Sequence, residues 1–241
     1  MKKILLSLIV IFLVAVGMIV SCKKSENSSS YTCTTCNQTP EAVAANDASS
    51  KGIYKGVLIG SSGTIKFDVQ NSSSSTLIAT LVIDGTTVQL TGQIAPTTGT
   101  YTAVYSGTYN NQPCSVTFSV YGDGTSPSIT ASNIPGHTSA VFIVIKETSS
   151  VLARCFEGTY HDASDNSDGT FNIVVSTILK GWAGKSRKNG STTTNDVSGV
   201  YANNTLYWGQ TTTIATINGD TFDGTFNNGS GNITVKGKRT L

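Results

Sequence analysis

The chain is 241 residues long and sparsely charged: Asp, Glu, Lys and Arg make up 12% of it, about half the share in an average soluble domain. Its formal charge of +2 comes from 16 Lys and Arg against 14 Asp and Glu, and Lys2 and Lys3 account for the whole excess. With no basic field over the rest of the chain, nucleic-acid binding and electrostatic adhesion to anionic lipid are excluded as its main role.

Lys2 and Lys3 are followed by a mostly apolar run, Ile4 to Val20, broken only by Ser7 and Gly17. A basic head and a short apolar run ending at a small residue describe a secretory signal peptide. The run is marginal for a membrane span of about 20 residues, which is the competing reading. The junction Ile19-Val20-Ser21-Cys22 resembles the lipobox of bacterial lipoproteins, with Ile where Leu is usual. The resemblance covers residues 1–22. It implies removal of residues 1–21, a diacylglycerol thioether on Cys22 and an acyl group such as palmitate on the new amine. It also implies a partner, the membrane, since two or more chains anchor stably where one is marginal. Lys23, where Asp would favour inner-membrane retention in that family, leans the localisation toward the outer membrane of the cell envelope. Lys23-Lys24-Ser25-Glu26-Asn27-Ser28-Ser29-Ser30 is polar and small, and reads as a flexible tether.

Residues 22–50 form the expected lipidated N-terminus, tether and one short helical piece. Thr39-Pro40-Glu41-Ala42-Val43-Ala44-Ala45 has a capping residue and a first-turn proline, and predicts a turn or two of helix. Beyond Cys22 the cysteines are Cys33, Cys36, Cys114 and Cys155. In an exported protein pairing is the default. Four cysteines allow three connectivities, of which Cys33–Cys36 with Cys114–Cys155 is expected. Cys33-Thr34-Thr35-Cys36 has redox spacing without the strand-then-helix context of that chemistry. A zinc site would need a second close pair.

From about Gly52 onward the signal is period-two alternation. Ile65, Phe67 and Val69 alternate with Lys66, Asp68 and Gln70. Val88 and Leu90, Val116, Phe118 and Val120, Phe171, Ile173 and Val175, and Ile233 and Val235 repeat the pattern. Alternating apolar and polar side chains predict antiparallel sheet with one face on a core. Val141-Phe142-Ile143-Val144-Ile145 is apolar throughout and predicts a central strand buried on both faces. Asp84-Gly85, Asn110-Asn111, Asp123-Gly124, Asn203-Asn204, Asn218-Gly219 and Asn227-Asn228-Gly229 supply residues that tolerate positive φ, as hairpins need.

The predicted fold is therefore all-β, an antiparallel sandwich or barrel. Gly52-Ile53-Tyr54 with Gly63-Thr64-Ile65 resembles Gly158-Thr159-Tyr160 with Gly169-Thr170-Phe171 at the same spacing. This supports two related β modules, 51–148 and 155–241. The competing reading is that Gly-Thr-aromatic is simply how a chain leaves a turn.

Candidate chemistry is sparse. The histidines are His137, expected in a solvated turn, and His161. His161 opens a stretch holding Asp162, Asp165 and Asp168, whose oxygens could surround calcium, although the spacing of a calcium loop is incomplete. The alternative is a hairpin of Asx turns. Trp182, Tyr201, Tyr207 and Trp208 concentrate rings beside neutral polar groups, which suits a sugar-binding surface. Adjacent Tyr207 and Trp208 must point to opposite faces, so core packing competes with that role. Lys180, Lys185, Arg187 and Lys188 flank a polar loop, Gly190 to Asn195, and read as solvated. Glu157 and Asp223 are the acids outside turns that a hydrolase with paired carboxylates would use. The leading expectation is a membrane-anchored envelope lipoprotein with a non-catalytic binding or structural role and no resident cofactor. Carbohydrate- or calcium-dependent ligand binding is the alternative, with a glycan or an envelope protein as the partner, and a hydrolase comes third.

Overall fold

The computed structural model describes residues 31–72, 75, 77–95, 99–177 and 181–241. The expected leader, Cys22 and the segment Lys23–Ser30 lie outside the described residues, as does Lys180. Among those described, the regular structure is β apart from one turn of 3-10 helix at Ala44–Asn46. The helix expected from Thr39 does not form. The N–H of Glu41 donates to Glu147 Oε1 at 2.6 Å and that of Val43 to Asn71 Oδ1 at 3.0 Å. Both donors point to side-chain acceptors just beyond strand ends, and Val43 is extended at φ −93° and ψ 133°.

The first eight strands are β1 Gly52–Ile59, β2 Gly63–Val69, β3 Leu77–Ile83, β4 Thr86–Ala95, β5 Thr100–Tyr109, β6 Gln112–Tyr121, β7 Ser128–Asn133 and β8 Val141–Lys146. They form one antiparallel sheet in the order β7-β6-β5-β4-β3-β2-β1-β8. Alternation works as predicted: Ile65, Phe67 and Val69 are fully buried while Lys66 and Asp68 are half-buried. The sheet curls around a core in which Phe67 stacks on Phe118 with ring centroids 4.5 Å apart, and Tyr54 and Tyr105 lean on the pair.

The next eight are β9 Arg154–Asp162, β10 Ser167–Ser176, β11 Gly181–Lys188, β12 Asn195–Ala202, β13 Thr205–Trp208, β14 Thr212–Asn218, β15 Thr221–Asn227 and β16 Asn232–Arg239. Each pairs with the next, and β16 returns to β9, with Val235 opposite Tyr160, to close a barrel. Closure removes every sheet edge. Eight strands leave an interior that side chains nearly fill. Glycines let the wall tighten where strands crowd. At Gly199 an added Cβ would lie 1.8 Å from the Tyr207 carbonyl oxygen, beside the bulge between Leu206 and Tyr207.

The two halves share strand number and meander order, but the repeat does not share register. Gly52 faces Val69 across β1 and β2, whereas Val175, the counterpart of Val69, faces Arg154 and not Gly158. The Gly-Thr-aromatic motif therefore marks the opening strands of each half without marking equivalent ladder positions. Asn110-Asn111 and Asn203-Asn204 do close hairpins with positive φ at both residues, as does Asp84-Gly85.

β8 differs from expectation in an instructive way. It lies at the end of its sheet and bonds along β1. Its two faces are nevertheless both covered. Val144 joins the sheet core, while Ile143 and Ile145 pack with Val57, Ala153, Cys155 and Val174 in a seam between sheet and barrel. A second body, rather than a central place in the sheet, accounts for the uninterrupted apolar run. Asn172 crosses the same seam, donating to the Leu58 carbonyl at 2.7 Å. Arg187 also crosses it, donating to the Ser139 carbonyl at 2.6 Å; it is buried, not solvated as the sequence suggested.

The cysteines pair only in part as expected. Cys33 and Cys36 are joined. Cys114 and Cys155 are both free and buried. Cys114 faces the core of the first sheet and Cys155 the seam outside the barrel, so the two thiols belong to different packed clusters and no bond between them forms.

Residues 31–50 are fixed to both the barrel and the sheet. The Tyr31 hydroxyl donates to the Arg239 carbonyl at 2.9 Å, and the Cys33 N–H to Asp220 Oδ2 at 2.9 Å. The segment then crosses to the sheet, where Lys146 donates to the carbonyls of Asn46, Ser49 and Lys51. It straps one end of the barrel to the sheet.

Candidate ligand-binding site

The inner wall of the barrel follows from alternation. Phe171, Ile173 and Val175 on β10, Trp182 on β11, Leu206 on β13, Phe222 on β15 and Val235 on β16 all enter one core. Three of these, Phe171, Trp182 and Val235, also face open space. At the end carrying the β9–β10, β11–β12, β13–β14 and β15–β16 turns, a cavity of about 470 Å³ opens, a volume within the range of small-molecule sites. Its walls are Tyr160, Phe171, Trp182, Val197, Ile214, Phe226, Ile233 and Val235. Around these stand Asp162, Ser186, Asn195, Asp196, Ser198, Trp208 and Asn228.

The cavity is blind. Leu206, Ile217, Phe222 and Phe156 close it below as packed core. At the far end Arg154 lies over the Phe156 and Tyr201 rings and donates to the Tyr201 hydroxyl at 2.7 Å. Arg239, 1% exposed, donates there to the Asn37 carbonyl and to Asp220 Oδ1, tying the Cys33–Cys36 loop over that end.

The sequence-predicted aromatics therefore divide. Trp182 is 5% exposed and its ring is oriented by a hydrogen bond from Nε1 to the Tyr207 carbonyl, 3.1 Å. Trp208 is 53% exposed at the mouth and meets Phe226 edge-on at 6.4 Å. Tyr201 is at the opposite end, its hydroxyl donating to Asn204 Oδ1 at 2.9 Å. Tyr207 contributes its backbone to Trp182 and does not line the cavity. Trp182 and Trp208 are thus brought together at one site, and the two tyrosines are not. Sequence reasoning missed Tyr160, Phe171, Ile214 and Phe226. Their signal was the shared inward parity of their strands, unreadable until it is known which hairpin turns share a barrel end.

The aspartates of the β9–β10 turn do not gather around a common point. Asp162 Oδ1 accepts from the backbone N–H of Ser164 at 2.9 Å and from its hydroxyl at 2.6 Å, an Asx turn. Asp165 pairs with Lys188 at 2.7 Å, and Asp168 with His161 Nδ1 at 3.0 Å. The Lys188 hydrogen bond holds the Asp165 carboxyl below the usual carboxylate range. Each acid is spent on a different neighbour, and among the described residues no group of His, Cys, Asp and Glu is placed to hold a metal. The stretch is the hairpin with an Asx turn that the sequence set against a calcium loop.

Glu157 and Asp223 do not face each other across the cavity, and neither lines it. Glu157 accepts from the Thr240 hydroxyl at 3.3 Å, and burial pushes its carboxyl up. Asp223 is exposed opposite Lys236. His137 is less solvated than expected: its Nε2 lies 3.3 Å from Asp84 Oδ2 and its side chain is 14% exposed.

Comparison with known proteins finds no match: no family model, no curated relative and no solved structure.

Proposed function

We propose that this chain is a membrane-anchored envelope lipoprotein with a non-catalytic binding role, and that it takes a small ligand in the open end of its barrel. The observation that carries the binding half is the blind cavity of about 470 Å³ with ring side chains on its walls and Trp208 half-exposed at its mouth. An exposed tryptophan at the rim of a concave apolar site costs solvation that a ligand would recover. The anchoring half rests on the lipobox-like Ile19-Val20-Ser21-Cys22.

The binding reading is tested by thermal-shift screening of the protein against a small-molecule library, with Ser186→Phe as the control. Ser186 lies on the cavity wall, and a phenyl group there fills the space. Ligands are expected to raise the Tm of the parent chain and not that of the variant. Hits that stabilise both equally would place binding elsewhere. The anchoring reading is tested by intact-mass analysis of the N-terminus: a free Cys22 thiol, or a chain still beginning at Met1, would overturn it.

A further inference from the structure

The ligand's chemical class can be read from how polarity is distributed in the cavity, on the premise that the barrel mouth is the binding site. Its depth is apolar: Phe171, Trp182, Ile214 and Val235 are at most 5% exposed and share the barrel core. Asp162, Ser186, Asn195, Asp196 and Asn228 stand nearer the turns, and Ser198 is the one polar lining residue level with Trp182 and Ala183. A sugar inserted here would bury hydroxyls against hydrocarbon with few partners, which costs more than ring stacking returns. A hydrocarbon or aromatic moiety would lose nothing by entering.

Charge then restricts the exposed part of the ligand. No Lys or Arg lines the cavity among the described residues, whereas Asp162 and Asp196 do. Lys185 is engaged with Asp196 and Lys188 with Asp165, so these two cations are already paired. Asp162 is in no ion pair among the described residues; its Oδ1 is held by Ser164 alone. An anionic headgroup would meet this carboxylate, while Lys188, the cation within its field, is already bonded to Asp165.

We infer that the barrel binds an amphiphile end-on: an apolar ring or short chain enters the blind cavity, and a neutral or cationic head remains at the rim beside Asp162. Carboxylates and phosphates are disfavoured.

The chain has two tryptophans, Trp182 and Trp208, and both line the cavity, so its tryptophan emission reports on this site directly. The mature chain, residues 22–241 with Cys22→Ser to avoid competing detergent, is titrated with N-phenyl-1-naphthylamine. A parallel titration uses 8-anilino-1-naphthalenesulfonate, the same ring system with one added sulfonate. The neutral probe is expected to quench saturably and to bind at least about tenfold more tightly than the sulfonate. Asp162→Asn keeps the Asx acceptor and is expected to narrow that gap by strengthening sulfonate binding. Ser186→Phe, with its fold checked by circular dichroism, is expected to abolish binding of the neutral probe. Equal affinity for both probes, or neutral-probe binding that survives Ser186→Phe, would overturn the inference. Saturable shifts with a methyl glucoside and none with either naphthyl probe would overturn it too, yet leave the binding role intact. No response to any of these probes, with no hit in the thermal-shift screen, would remove the binding role itself.

Discussion

Lys55 and Glu147 meet at 2.7 Å between Nζ and Oε2, with side chains 1% and 0% exposed. Glu147 also accepts from the backbone N–H groups of Glu41 and Ala153, and Lys55 reaches Glu41 Oε2 at 3.0 Å. One buried pair thus ties together strand β1, the strap and the segment that leads from the sheet into the barrel. Removing Lys55 leaves Glu147 an uncompensated buried charge, which typically costs about 3–5 kcal/mol, whereas removing Glu147 leaves Lys55 its contact with Glu41. Lys55→Met is expected to lower the stability to chemical denaturation by that order, and Glu147→Gln by less. The double variant is expected to lose less than the sum of the two, because neither charge is then stranded. Additive losses would show that the pair is not coupled.

Acid should act on the strap through Glu41. Burial opposes its ionisation, but hydrogen bonds from Lys66 and Lys55 outweigh this and hold its carboxyl below the ordinary 4.5. An acid with a lowered folded pKa stabilises the fold above its unfolded value and loses that contribution as pH falls through the folded one. Glu41→Gln should therefore lower the Tm near neutrality and flatten its decline below about pH 4.5.

Glu157 has the opposite sign. Burial raises its pKa despite the Thr240 hydroxyl and Lys238, so the folded protein holds this proton more tightly than the unfolded chain does. Its ionisation costs stability at neutral pH, and stability returns as pH falls through the folded pKa toward 4.5. Glu157→Gln is expected to raise the Tm near neutrality and not below about pH 4. Comparing Tm against pH for the parent chain and both glutamate variants separates the two contributions.

The Cys33–Cys36 bond closes a loop of very few residues, so its contribution through the unfolded chain is about 2 kcal/mol at most. Its larger expected effect is local. Reduction should expose the segment around Thr34 and Thr35 to proteolysis while the barrel stays folded. Arg239→Met, which removes the hydrogen bonds to Asn37 and Asp220, should open the same segment without any reductant. Limited proteolysis read by mass spectrometry checks both; cleavage within the barrel at the same rate would count against a local effect.

The two unpaired thiols should be silent in the folded protein. Cys155 is fully buried, its thiol pushed up to about 12 by burial, and burial raises Cys114 as well. Thiolate is the reactive form. In the Cys22→Ser chain, a thiol reagent is expected to find no reactive group in the native protein and two after unfolding. A native-state disulfide between them would leave none in either state.

Much of the architecture was legible in the residues themselves. Alternation in segments such as Ile65–Val69 and Val116–Val120 specifies strands because successive side chains on a strand face opposite ways, a purely local rule. Paired Asn and Asp-Gly turns specify hairpins because they accept positive φ at low cost. Local geometry of that kind also places Asp162 in a turn with Ser164. The lipobox-like tetrapeptide is likewise a contiguous signal, and it motivates the anchor without reference to any fold.

What the chain could not disclose along its length is which distant groups meet. That β16 bonds to β9 and closes one meander, while β7 and β8 end the other unjoined, depends on register accumulated over eight strands. Closure decides that Trp182, Trp208, Phe171 and Phe226 surround one cavity while Tyr201 is left at the other end. Packing of barrel on sheet decides that Cys155 faces a seam and that Val141–Ile145 can be apolar on both faces at a sheet end. Strands and their turns are readable from the residues because their energies are settled over a few positions. The site, the seam and the buried Lys55–Glu147 pair exist only once burial brings remote strands together.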